Sequence, residues 1–427
     1  MRSRSALVVA PRQVRLILIC RMKFVLSGTR TVQNPEKADE AAIEFGFIDA
    51  RARREYIQLG IAGFFTAYLN SHSSLLAIVF AREHFDLHTI GLLISLYALP
   101  VILFTFLSGA IAARIGVLNT CRLAIALLMI GFFSLRYTSA EFWPAVASRL
   151  VQGVGQGLFL SSFVTYGQSR LNVKRFVYLL GLLSSMLMLP QAFAPPIGAL
   201  VLNAFGTQAM FLEATVPACV GLTLMFGLRP IPWPRIARRL DFFSGVRRDR
   251  VPAFIAIFVN GTMFGFVTAY LAAMLEARAI PIAAFFLAST TVMFASRLFA
   301  MRSFEMINWN ILVAAGFLLQ GSGFMLVAVA ETSWLIAVAG AFFGMGYSVI
   351  YPILSAWMSE GLEPNERAGP QALLNTVFSI GVFVMPYPQA LIITQFGYGL
   401  AVMILASLAI VAACALFVPR FAKPRRS

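Results

Sequence analysis

Twelve long apolar stretches recur along the chain, each bounded by charged or turn residues. They run near 57–80, 89–113, 122–138, 143–166, 176–202 and 209–228, then near 251–275, 282–300, 309–330, 334–358, 371–393 and 398–419. Each has roughly the 20 apolar residues that a membrane-crossing helix needs. The gaps are short except at 229–250, where Pro230, Pro232 and Pro234 lie among seven arginines. The pattern predicts an all-α membrane protein of 12 transmembrane helices, arranged as two six-helix bundles. The expected division is a tail over 1–56, a first bundle over 57–228, a linker over 229–250, a second bundle over 251–419 and a short tail over 420–427.

Charge then orients the chain. With the N-terminus inside, 29 of the 34 Lys and Arg fall on cytoplasmic segments, and only Arg82, Arg136 and Arg278 fall on outside loops. Cytoplasmic loops carry such an excess, so both termini and the linker are expected in the cytoplasm. The same bias accounts for the net charge of +16 without a nucleic-acid partner. The composition, 59% hydrophobic and only 12% charged, excludes a soluble enzyme and a disordered chain, since soluble domains are about 25% charged. Cys20, Cys121, Cys219 and Cys414 show neither disulfide nor metal spacing. No phosphate-binding Gly-x-x-x-x-Gly-Lys-Ser/Thr occurs. No metal and no cofactor are expected. Residues 1–28 are basic, with two short apolar patches and no clean cleavable signal. Residues 29–56 read as a solvated tail or, alternatively, an amphipathic surface anchor. Met22 is a second possible start.

The halves repeat at an offset of 190 or 191 residues. Asn70 matches Asn260, Gly153 and Gly155 match Gly344 and Gly346, Pro195 matches Pro386, and Phe205-Gly206 matches Phe396-Gly397. Parallel repeats about an axis along the membrane normal are a transporter architecture. Span 4 carries Arg149-Leu-Val-Gln152-Gly153-Val-Gly155-Gln156-Gly157. The loop after span 2 carries Gly109-Ala-Ile-Ala-Ala113-Arg114-Ile-Gly116, and span 5 carries Ala194-Pro195-Pro196-Ile197-Gly198-Ala199. Over roughly residues 55–420 the chain resembles the major facilitator superfamily. The span-4 stretch is similar to its Arg-x-x-x-Gly-x-Gly pattern. The loop is similar to its first-half motif, with Ala113 replacing the usual Asp. Span 5 is similar to the Gly-Pro-x-x-Gly-Gly motif of antiporters, with both outer glycines changed to Ala. The resemblance implies alternating access around a midplane site, in a transporter rather than an enzyme.

The candidate cavity residues are Asn70, Arg149, Gln152, Gln156, Asn260, Tyr347 and Tyr351. A cation at mid-bilayer costs about 2.5–3.5 kcal/mol, so Arg149 should face protein or a water cavity. It shares a helical face with Gln152 and Gln156. It either lines the cavity or is tied to neighbouring carbonyls while the glycines allow close packing. Arg297 lies near the inner end of span 8, placed to snorkel. The coupling candidates are His72, the only histidine inside a span, and Glu213, the only acid clearly inside one. A packing histidine and an interfacial glutamate are the plainer readings. The expected function is transport of a small organic solute across the cell inner membrane by a monomer. The reading leans to uptake or facilitated transfer of a planar vitamin-like or metabolite-like molecule such as riboflavin. The alternative is proton-coupled efflux of a drug, siderophore or metabolite.

Overall fold

The computed structural model of the chain describes residues 39, 42–172, 176–231, 250–299, 308–359 and 368–417. They form twelve consecutive helical segments. In the first half these are α1 (Ala50–Arg82), α2 (Leu87–Ile115), α3 (Val117–Thr138), α4 (Phe142–Gln168), α5 (Phe176–Met188, Leu189–Ala192 and Ala194–Phe205) and α6 (Thr207–Phe226). In the second half α7 comprises Val251–Ala269 and Leu271–Ala277, followed by α8 (Ala283–Phe299), α9 (Trp309–Val329) and α10 (Ser333–Ser359). α11 begins as Ala368–Phe383. The helix Pro386–Phe417 is interrupted at Gly397, so residues 386–396 complete α11 and 398–417 form α12. Among the described residues nine helices are long and apolar enough to cross a membrane, the last of them, Pro370–Leu416, embracing both sides of that interruption. The linker residues 232–249 lie outside the described residues.

The ends of the spans follow from local chemistry. Gly116, Gly206 and Gly397 adopt φ of 85°, 84° and 79°, a region that Gly enters without a Cβ penalty. The last two are repeat mates, and each turns the chain straight into the next helix. At the start of α1, Asp49 accepts a hydrogen bond from the Ala52 amide at 2.5 Å, capping the helix. α1 therefore begins at Ala50, seven residues before the expected span. Residues 42–49 are not a solvated tail either. Phe47 is 3% exposed and bridges to Leu171. The Asn172 side chain donates to the carbonyls of Ile43 and Phe47, both at 2.9 Å. Apolar Ala42 and Phe47 gain more by docking on the α4–α5 connection than polar composition alone suggested.

The repeated glycines have the same job in both halves. A β-carbon on Gly153 would lie 2.7 Å from the Tyr97 carbonyl of α2, and one on Gly155 would lie 2.6 Å from the Leu128 amide of α3. Their mates repeat the contacts six helices on: Gly344 meets the Ser289 carbonyl of α8, and Gly346 meets the Gly316 carbonyl of α9. Small residues let backbones approach where lipid supplies no hydrophobic drive.

Between the halves, contacts gather at one end. Arg82 pairs with Glu276 at 2.8 Å, and His88 bonds the Tyr387 hydroxyl at 2.7 Å. Ser95 donates to the Val384 carbonyl at 3.2 Å and accepts from the Tyr387 amide at 2.9 Å. Gly91 of α2 packs against Ala390 and Tyr387 of α11.

Because Gly155 has backbone on both sides, Gly155→Ala should cost about 1–3 kcal/mol through overpacking. A β-carbon on Gly109 would meet nothing within 4 Å, so Gly109→Ala should leave the melting temperature unchanged or slightly raised. Thermal unfolding of the detergent-solubilised variants compares them, and equal melting temperatures would contradict the close-packing role.

Candidate functional site

The first polar centre grows from a defect in α1. Asn70-Ser-His-Ser-Ser74 is poor in helix formers, and its hydroxyls turn back on the main chain. Ser71 donates to the Ala67 carbonyl at 2.8 Å and Ser74 to the Ser71 carbonyl at 2.9 Å. Here the helix tightens into a 3₁₀ turn over His72–Leu75. His72 is fully buried. Its Nδ1 lies 2.9 Å from the Tyr68 carbonyl and its Nε2 lies 2.8 Å from Glu213 Oε2. The Tyr68 hydroxyl donates to the other Glu213 oxygen. Gly198 of α5 permits this closeness, since a β-carbon there would stand 2.5 Å from His72 Cδ2.

That geometry fixes a proton count. A carbonyl only accepts, so Nδ1 carries a hydrogen. Nε2 would then present a lone pair to a carboxylate if both groups were in their unloaded forms. The 2.8 Å contact needs one more proton, held as imidazolium against carboxylate or as imidazole against carboxylic acid. His72 and Glu213, separate candidates in the sequence, thus form one unit with Tyr68. The Glu213 side chain is 22% exposed and engaged at both oxygens.

The second centre surrounds Arg149, which is 2% exposed. α2 is broken at Tyr97, whose amide turns to the Ser95 carbonyl, and Pro100 brings no amide of its own. Carbonyls are left over, and Arg149 donates to two of them, Leu93 and Ile94, at 3.4 Å each. It also donates to the Gln152 side chain and stacks 4.3 Å over the Tyr97 ring. The Tyr97 hydroxyl reaches Asn70 Oδ1 at 3.4 Å. The structure therefore joins Asn70, Arg149 and Gln152 through Tyr97, which the sequence reading missed; Pro100 three residues on was the available signal. Gln156 is half-buried on the same helix.

The second half gathers aromatic rings, Tyr347 and Phe343 buried and Phe264, Tyr351 and Phe378 half-buried. Tyr347 stacks on Phe264 at 4.8 Å and on Phe343 at 5.8 Å. Tyr351 meets the edge of Phe378 at 5.5 Å and donates to Asn375. Gln371 donates to Ser355 at 2.7 Å. Phe378 and Gln371 were not anticipated. Asn260, expected to line a cavity like its mate Asn70, is fully buried and accepts from Gln320 of α9 at 2.9 Å. The repeat preserved the residue but not its partner. No group of three His, Cys, Asp or Glu side chains able to hold a metal occurs among the described residues.

The Major Facilitator Superfamily sequence profile matches residues 59–310 and 310–427. The chain belongs to the Major Facilitator Superfamily. Curated relatives include an uncharacterised MFS-type transporter of Burkholderia mallei (strain SAVP1), 22% identical over 238 residues, which are 56% of this chain and 58% of that protein. The match thus spans little more than half of that relative. The methylenomycin A resistance protein of Streptomyces coelicolor is 28% identical over 135 residues, 30% of this chain and 27% of that protein. Among solved structures, the nucleoside transporter NupG superposes with a TM-score of 0.69 at 13% identity, over 85% of this chain and 98% of that one. A POT family transporter in complex with 5-aminolevulinic acid gives 0.72 at 14% identity, over 87% and 97%. Family membership and the apolar helices make it a multi-pass membrane protein of the MFS transporter type.

In this transporter Arg149→Ala should destabilise the fold, since each acceptor left bare in the interior costs about 1–3 kcal/mol. Arg149→Lys should recover part of the loss, keeping the charge but not the planar fork. Melting temperature and membrane level are the measurements. An alanine variant as stable as the parent would show that the Leu93 and Ile94 carbonyls do not need it.

Proposed function

We propose that the chain takes up a small, planar, metabolite-like or vitamin-like solute across the cell inner membrane, driven by protons held at His72 and Glu213. The observation that carries this reading is the extra proton demanded by the His72–Glu213 contact. Imidazole exchanges protons near neutral pH, and an ionisable pair inside the membrane marks a proton pathway by default. His72 sits on the 3₁₀ turn of α1, and that turn also touches α7 of the other half. Loss of the proton sets a lone pair against a carboxylate, pushes the two groups apart and so disturbs a contact between the halves. The stack of Phe264, Tyr347 and Phe343 supports a planar cargo, because flat rings fit offset stacking. Riboflavin is the neutral example of such a molecule.

Both termini and the linker are proposed to be cytoplasmic, which rests on the Lys and Arg distribution. The contacts of Arg82, His88 and Tyr387 then close the outer end, one state of an alternating-access cycle in which a monomer suffices. The second reading is proton-coupled efflux. The span-5 Ala-Pro-Pro-Ile-Gly-Ala stretch and the match to a methylenomycin resistance protein favour it.

Two measurements test these readings. Reporter fusions at Arg239 and Ala422 should read cytoplasm and one at His84 the outside; a cytoplasmic His84 would overturn the orientation. Proteoliposomes are then given labelled riboflavin, nicotinate and uridine, with and without an imposed pH gradient. At least one solute should accumulate down the proton gradient. His72→Gln and Glu213→Gln should abolish that accumulation yet retain counterflow, in which no net proton moves. Unchanged gradient-driven accumulation in both variants would remove the pair from the mechanism, and extrusion against the gradient would select the efflux reading.

A further inference from the structure

Arg149 and Arg297 lie inside the apolar stretches of the sequence, and their surroundings differ. Arg149 is well partnered: each of its three nitrogens donates one hydrogen bond, to two carbonyls and an amide oxygen, and the group lies over an aromatic ring. Arg297 is not. Its Nε is removed from solvent and has no hydrogen-bond partner, and no carboxylate lies within ion-pairing distance of it among the described residues. Nor does it snorkel along the lipid face. The exposed face of α8 carries Leu287 and Thr291, whereas Arg297 continues the face of Phe286, Thr290 and Met293, all buried. On that side the neighbouring Ser296 donates to Ser348 of α10 at 2.6 Å, which sets Arg297 beside the turn that carries Tyr347 and Tyr351.

A guanidinium drawn into the protein at its Nε without a counter-anion is costly, and such groups in membranes pair or face a water-filled path. The neighbours here describe the missing partner. Tyr347 carries the ring stack with Phe264 and Phe343, and Tyr351 adds a hydroxyl, with Asn375 and Phe378 beside it. Flat rings and one cation, with neutral hydrogen-bonding groups at the edge, complement a ring bearing a single carboxylate. The guanidinium fork binds a carboxylate through two parallel N–H bonds.

We propose that Arg297 is the anion-binding residue of the solute site, and that the cargo is a planar aromatic monocarboxylate lying against the partly exposed Phe264 and Tyr351 side of the ring cluster with its carboxylate on Arg297. This rests on the transporter reading above and narrows it: a neutral ring system such as riboflavin fills the stack but leaves the guanidinium uncompensated. Arg149, the other span arginine, already spends its charge on the Leu93 and Ile94 carbonyls and on Gln152.

The test uses the purified full chain with three matched pairs: nicotinate and nicotinamide, 4-aminobenzoate and 4-aminobenzamide, indole-3-acetate and indole-3-acetamide. Thermal unfolding is titrated with each. At least one carboxylate should raise the melting temperature saturably, with its amide about ten-fold weaker or more, the scale of one charge-assisted pair. Arg297→Gln should erase that preference and leave the weak amide binding, while Arg297→Lys should keep part of it. Two results of the titration itself overturn the proposal. One is a wild-type protein that prefers no carboxylate over its amide. The other is a carboxylate preference that survives in Arg297→Gln. Competition by phosphatidylglycerol vesicles against every carboxylate would also overturn it, assigning Arg297 to a lipid headgroup. The parallel counterflow assay with riboflavin and uridine separates the two levels. Movement of either neutral solute without carboxylate selectivity sinks the anion site and leaves the transporter reading standing.

Discussion

A helix that stops or breaks inside a bilayer leaves carbonyl groups that water cannot reach. In this chain arginine answers that constraint repeatedly. Arg82 donates to the Leu202 carbonyl near the end of α5 at 3.1 Å. Arg122 donates to Met225 at the end of α6 at 3.0 and 3.2 Å. Arg250 donates to Met358 at the end of α10 at 2.6 Å, and Arg278 to Val327 and Ala328 at the end of α9 at 2.7 and 3.2 Å. Arg149 does the same at the break in α2. The guanidinium has five donors in a fixed fork, and its charge complements the negative end of a helix dipole. The surplus of basic residues, read first as an orientation signal, is thus also what fastens helix ends to neighbouring helices.

Once helix ends are fastened, the halves can be built by one packing rule. α4 and α10 each approach two neighbours through glycines at matching positions, and Gly206 and Gly397 make the same sharp turn after α5 and α11. The rule governs main chain only. Side chains at repeat mates diverge freely, as Asn70 and Asn260 do: one reaches Tyr97 in its own half, the other is sealed against Gln320. Such divergence lets two halves of one architecture carry different chemistry.

The sequence was most legible where the signal is local. Span ends fell close to the helix ends because charged and turn residues mark both, and the glycine pairs were visible because a repeat offset needs no geometry. α1 began early because one side chain, Asp49, caps it, a signal weaker than the apolar run behind it. The pairing of His72 with Glu213 joins residues 141 apart, and no spacing rule reaches that far. Arg297 shows a different limit. Its position along the helix suggested an escape to the interface, but which way a side chain points depends on the angle around the axis and on what packs there. The burial of Phe286, Thr290 and Met293 decides that angle.

The proposed roles fall in opposite halves, and that has a consequence for coupling. A proton unit in α1 and α6 and an anion contact on α8 share no side chain, so they cannot compete for one site as they would in direct exchange. Any coupling has to pass through the contact between the halves. The α1 turn that holds His72 touches α7, and α7 supplies Phe264 to the stack on Tyr347. A shift of that turn therefore moves one wall of the solute site without touching Arg297. On this reading the charge of the cargo is balanced within the second half, while the proton acts on the fit of its ring. Affinity for the carboxylate and sensitivity to the gradient are then separable properties, because they depend on different helices.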